Sequence, residues 1–233
     1  MSHDTDDMVP HFTAPELVKH LPAHVREALV RGLVEHSRGV MEPPRGAYVD
    51  DCGTLLKKQG GAYVALDPHQ DKPHGSMRVF AYIREGLGWA KDTPYLNTGK
   101  LDLGGFEWCG AFMAYCYAAL KPEIRKQHCA STYRLLAWCE GTPRKVALNA
   151  IQAGDVVVVG KATSKRWGAH ITICESVEDG YVRTIEGNGH GNLGTGEWGE
   201  GVVRRRRPFK ANAAPTDSYV MHAYRFQPED FGA

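Results

Sequence analysis

Apolar residues in the first half of the chain recur at helical spacing, and in the second half they alternate. Leu21, Val25, Leu29, Leu33 and Val34 form a helical stripe interrupted at Pro22. Upstream, Thr13-Ala14-Pro15-Glu16 reads as a capping box with proline near the first helical position. Together they predict two short helices ending near Gly39. Residues 41 to 75 are dense in Pro, Gly and Asp and predict mostly loop, with a short strand over Ala62 to Leu66. A helix follows over Ser76 to Gly86, carrying Val79, Tyr82 and Ile83 on one side with Leu87 just beyond. The next helix, Gly110 to Leu120, is opened by Cys109, is apolar almost all round and stops before Pro122, so it belongs at the centre of the molecule. One more amphipathic helix is expected over Glu123 to Cys139.

From there the period changes to two. Strands are predicted at Asp155 to Val159, Gly168 to Val177, Tyr181 to Glu186, Val202 to Arg207 and Tyr219 to Phe226, with Glu178-Asp179-Gly180 as a hairpin turn. Helices followed by an antiparallel meander predict an α+β fold, with the N-terminal helices packed on a C-terminal antiparallel sheet. The expected division is a helical and loop extension over 1–75 and a main domain over 76–233.

With 233 residues and 42% hydrophobic positions the chain is long enough for a real core. A net charge of +1 argues against gripping nucleic acid or inserting into an anionic membrane. The first twenty residues begin acidic and hold no apolar run of signal-peptide length. The expectation is therefore synthesis in the cytoplasm without a signal peptide. The six cysteines include no C-x-x-C pair, so most are expected to be small buried hydrophobes.

Cys109 differs from the others because it sits where a loop enters a helix. The positive end of the helix and its amide donors favour thiolate over thiol there, whereas Cys116 lies deeper in the same helix. Gly110 next to it leaves room for a substrate backbone. A thiolate nucleophile needs a base, and alternation in Gly168-Ala169-His170-Ile171-Thr172-Ile173 turns His170 to the face opposite Ile171 and Ile173. The hairpin at 178–180 makes the next strand its neighbour, where Thr184, Glu186 and Asn188 share a side. Glu186 or Asn188 then orients the imidazole. Taken singly, each residue also has a bland reading as core cysteine or satisfied polar group; their joint placement favours the functional one.

Four motifs in this order resemble the papain-like peptidoglycan hydrolases of the CHAP and NlpC/P60 group. They are Glu107-Trp108-Cys109-Gly110-Ala111-Phe112, Ala153-Gly154-Asp155-Val156-Val157-Val158, Gly168-Ala169-His170-Ile171 and Thr184-Ile185-Glu186-Gly187-Asn188. The resemblance covers about residues 76 to 226 and implies a papain-like (NlpC/P60/CHAP) fold. Cys109 would be the nucleophile, His170 the base and Glu186 the orienting residue, with Asn188 as a second polar member. It implies hydrolysis of an amide bond in the peptidoglycan stem peptide, as endopeptidase or amidase, without a cofactor. Delivery by a secretion apparatus as an antibacterial effector, or by a phage holin as an endolysin, would bring such an enzyme to the periplasm or cell wall. An effector would imply a cognate immunity protein. A papain-like protease or deamidase acting on protein, and a silent wall-binding module, are the alternatives.

The stretch before Cys109 lacks the polar oxyanion donor usual in papain-type enzymes, which leaves the Cys109 amide and points to Tyr95 or Asn97 for the second donor. Trp108, Gly110, Trp167 and Trp198 are the candidate substrate contacts, with Trp167 and Trp198 suited to stacking on sugar rings. Arg204 to Arg207 is read as a solvated edge strand, with polyanion binding as the sharper alternative. Eleven histidines invite a metal site, but the His20/His24 pair straddles Pro22 and has no carboxylate beside it, so none is expected.

Overall fold

The computed structural model describes residues 19–43, 47–50, 54–65, 75–88, 100–103, 106–161, 163–164, 169–214 and 217–232. The capping box at 13–16, Tyr95, Asn97 and Trp167 lie outside the described residues. Pro22 precedes the first described helix, α1 (Ala23–Ser37), and its fixed φ sets the start. Gly39, at φ 64°, lies just beyond its end. The buried face of α1 is Ala28, Leu29, Gly32 and Glu35, while Val34 from the predicted stripe is exposed.

The region expected to be mostly loop instead builds a small sheet. Strands β1 (Ala47–Asp50), β2 (Leu55–Gln59), β3 (Ala62–Ala65) and β4 (Lys100–Asp102) are ordered β3-β2-β1-β4, and each neighbouring pair is antiparallel. Only β3 follows the predicted strand. The helix predicted from Ser76 is present as α2 (Gly75–Ala81), continued by a wider π-type turn over Tyr82–Gly86.

Helix α3 (Cys109–Cys116) is almost wholly buried and ends earlier than its apolar run predicts. The expected long helix after it is two, α4 (Pro122–His128) and α5 (Thr132–Cys139). The break is Ser131, whose hydroxyl accepts from the Arg134 amide and so caps a new start.

Beyond the two-residue strand β5 (Lys145–Val146), the large sheet is built from β6 (Val156–Gly160), β7 (His170–Glu178), β8 (Tyr181–Leu193), β9 (Trp198–Pro208) and β10 (Tyr219–Tyr224). Its order is β5-β10-β6-β7-β8-β9, with antiparallel neighbours throughout. Alternation gives this sheet two apolar faces. Ile171, Ile173 and Ile185 join the core made with α1, α2 and α3, while Val157, Val159, Cys174 and Val182 belong to a second cluster with Val220 and Ala223. The molecule is therefore α+β with antiparallel sheets. Among the described residues no helix is long and apolar enough to cross a membrane.

Candidate active site

Two elements meet at the site: the N-terminal turn of α3 and the first residue of β7. Trp108 caps α3 with φ −97° and ψ 11° and offers no side-chain cap, so the first-turn amides lack side-chain acceptors. Cys109 stands in that turn. It is 7% exposed, and the His170 imidazole and the Ile171 amide are the groups that act on its sulfur. Burial opposes a charge on sulfur, but the imidazole's hydrogen bond and charge, with help from the Ile171 amide, hold the thiol below its ordinary value.

His170 pairs with Val159 at the start of β7, on the face opposite Ile171 and Ile173 as alternation requires. Its Nε2 stands 3.2 Å from Oε2 of Glu186 on β8, off the line of an ideal hydrogen bond. With Nε2 turned to the carboxylate, Nδ1 is the nitrogen left for sulfur. Burial alone would lower the imidazole's affinity for a proton, but Cys109 and Glu186 raise it to about 9. A depressed thiol beside an elevated imidazole favours the thiolate–imidazolium form of the pair over the neutral one.

Glu186 has no exposed surface. Burial would favour its neutral form, but Arg207 and His170 outweigh it and hold the carboxyl well below the usual carboxylate range. Arg207 grips it with both ends of its fork: Nε donates to Oε1 at 2.7 Å and Nη2 donates to Oε2. Thr184 donates its hydroxyl to Oε1 as well. Asn188 follows in the bulge between Glu186 and Gly189, at φ 59°, a left-handed conformation that asparagine tolerates. Of the two expected orienting residues, Glu186 is the one facing Nε2.

Arg207 is the member that sequence reasoning passed over, and the solvated reading of the run Arg204 to Arg207 is corrected. β9 is indeed an edge strand, but its arginines are engaged. Arg204 forks onto Glu175, Arg206 lies 3.8 Å from the centre of the Tyr181 ring, and the Arg207 side chain is only 12% exposed. The observed register explains its place: Val182 and Thr184, in phase with Glu186, pair with Arg207 and Arg205, which puts Arg207 on the carboxylate's face.

Two of the substrate-contact expectations change. Trp108 is completely buried, packed with Tyr82 and Phe112, and its indole N–H donates to Glu42 Oε2 at 2.9 Å. A residue with no exposed surface holds the core and does not meet substrate. Gly110 is buried too, and a Cβ there would overlap the carbonyl of Cys129, so its missing side chain lets the α4–α5 connection close on α3. Trp198 is different. It is 57% exposed at the start of β9, its indole N–H donates to His190 Nε2 at 2.6 Å, and the Arg205 guanidinium lies 5.9 Å from the ring centre. Among the described residues no group of three or more His, Cys, Asp or Glu is arranged to hold a metal ion; His24, from the pair considered above, packs on Phe231.

A comparison with known families falls on this same stretch. Residues 102–188 match the model of the CHAP domain. CHAP domains are in general hydrolases acting on peptidoglycan. The CHAP match runs from β4 through α3 and β7 to the bulge after Glu186, so it contains Cys109, His170, Glu186 and Asn188 and stops short of Arg207. No curated protein and no solved structure matches the chain.

Proposed function

We propose that the protein is a thiol hydrolase that cleaves an amide bond in the stem peptide of peptidoglycan. The observation that carries this reading is the contact of the Cys109 thiol with His170, backed by Glu186, within a segment that matches the CHAP domain. The Cys109 thiolate attacks the amide carbonyl carbon, and the oxygen takes up negative charge beside the uncapped amides of the first turn of α3. As the carbon–nitrogen bond breaks, the imidazolium of His170 gives its proton to the departing amine, leaving a thioester on Cys109. Neutral His170 then takes a proton from water, which attacks the thioester. The acid product leaves and the ion pair is restored. Glu186 keeps its negative charge throughout and stabilises each imidazolium state. Trp198, exposed and held at one end of its ring, is the candidate to stack on a sugar of the glycan strand.

The test is digestion of purified sacculi and, separately, casein, with soluble fragments resolved by mass and Cys109→Ala as control. Release of muropeptides by the native protein but not the variant is expected, and the fragment masses tell endopeptidase from amidase cleavage. Casein cleavage without muropeptide release would move the reading to a protein substrate. Sacculus binding with no release from the native protein would leave only a wall-binding module.

A further inference from the structure

The indole beside the nucleophile is held by a residue 66 positions earlier in the chain, well outside the CHAP match. Residues 40–42 run along β9. The Val202 amide donates to the Val40 carbonyl at 2.8 Å, the Glu42 amide donates to the Glu200 carbonyl at 2.7 Å, and Met41 bridges Gly201 in antiparallel fashion. Gly201 is the reason this strap can lie so close, since a Cβ there would overlap the Val40 carbonyl. Fixed in this way, the strap delivers the Glu42 carboxyl to the Trp108 indole. Trp108 has no exposed surface, so its indole N–H depends on that acceptor.

We infer that Glu42 is a positioning residue for the nucleophile: it fixes the Trp108 indole, and through it the turn of α3 that carries Cys109. The inference rests on reading Cys109 as the nucleophile. Trp108 is both the cap of α3 and the residue bonded to Cys109, and its ring is wedged between Tyr82, Phe112 and Gly187. An indole deprived of its acceptor must turn or draw in water, and either shift moves the cap. The influence of the His170 imidazole and the Ile171 amide on the sulfur is short-range and weakens with small displacements. Glu42 suits the task because burial and the nearby charge of Glu200 raise its carboxyl, against the pull of the Trp108 hydrogen bond, to about 7. Both of its protonation states keep an oxygen able to accept from the indole.

The experiment is alkylation of the full-length protein with iodoacetamide across a pH series. Modification is read by mass on the Cys109 peptide alone, and a melting temperature is recorded for each variant. Wild-type Cys109 should alkylate with a midpoint below that of an ordinary thiol; a midpoint at the ordinary value would defeat the nucleophile reading itself, whatever the variants do. Given a depressed midpoint, Glu42→Ala should raise it by about one unit, slowing modification about tenfold at pH values below the wild-type midpoint. Glu42→Gln keeps an amide oxygen for the indole and should stay within about twofold of wild type. If Glu42→Ala alkylates with the wild-type profile, Glu42 serves stability only and the inference fails. It fails equally if Glu42→Gln behaves like Glu42→Ala. Should Glu42→Ala not fold, Trp108→Phe removes the same hydrogen bond from the other side, and a wild-type midpoint in that variant overturns the inference. Because the reagent reports on sulfur alone, these outcomes stand apart from whether sacculi are the substrate.

Discussion

Four ionisable groups meet at the site: the Cys109 thiol and the Glu186 carboxylate on one side, the His170 imidazole and the Arg207 guanidinium on the other. The imidazole is raised from 6.5 to about 9, so its pairing stabilises the fold fully below about 6.5 and is lost as pH rises through about 9. The same deprotonation removes the acid that the leaving amine needs, and turnover on sacculi is therefore expected to fall on an alkaline limb near pH 9. Glu186 carries the opposite sign. Its depressed carboxyl contributes stability above the ordinary 4.5 and loses it only in strong acid, so mild acidification leaves the Arg207 pair intact. Glu186→Gln should shift the alkaline limb to lower pH, because the imidazolium loses its neighbouring anion, as a pH–rate series would record. Arg207→Met should cost about 3–5 kcal/mol in urea unfolding by leaving the buried carboxylate without its guanidinium partner. An Arg207→Met protein as stable as wild type would mean the fork contributes little.

At the scale of elements, the face that carries His170 and Glu186 was legible because two local rules act together. Alternation fixed which way His170 and Glu186 point, and the turn at Asp179–Gly180 fixed that β7 and β8 are neighbours. Arg207 was not legible by the same means, because the β8–β9 pairing shifts register after Glu186 and again around Asn192, and bulges leave no mark on alternation. The small sheet was missed because β1, β2 and β4 are three to five residues long and set among turn-forming residues. Gly187 shows how closely β8 and α3 are set: a Cβ there would lie 2.7 Å from Trp108 Cζ3 and overlap Phe112. Gly187→Ala must push β8 away from α3, and with it Glu186 away from the helix that carries Cys109. A stability loss of about 1–3 kcal/mol is expected, with a fall in turnover larger than the melting shift accounts for. Trp198→Ala, at an exposed position, should do the reverse: an unchanged melting temperature, and weaker binding to sacculi in a pull-down.

Across the whole molecule, the described residues before 75 pack into the same core as the elements that carry Cys109 and Glu186. Ala28, Leu29, Val40, Val49 and Leu55 share one buried cluster with Phe112, Ile173 and Ile185. Polar contacts follow the same path: Glu35 on α1, itself buried, accepts from Arg78 on α2 and at 2.7 Å from the Tyr82 hydroxyl in the turn after it. A dividing line at 75/76 follows the change in sequence texture, from Pro- and Gly-rich to helical, but texture reports local backbone preference and carries no record of which apolar faces meet. The helix α1 contacts α3, β8 and β9, so it braces the elements that hold Cys109, Glu186 and Arg207. Stability should then be shared across this packing. Leu29 is 1% exposed, and Leu29→Ala should cost about 2–5 kcal/mol. The loss should appear at one urea midpoint whether unfolding is followed by far-UV dichroism, by tryptophan emission or by access of a thiol reagent to Cys109. If Cys109 instead kept its native protection at urea concentrations where α1 had already melted, the two segments would be separable and the bracing role of α1 would be wrong.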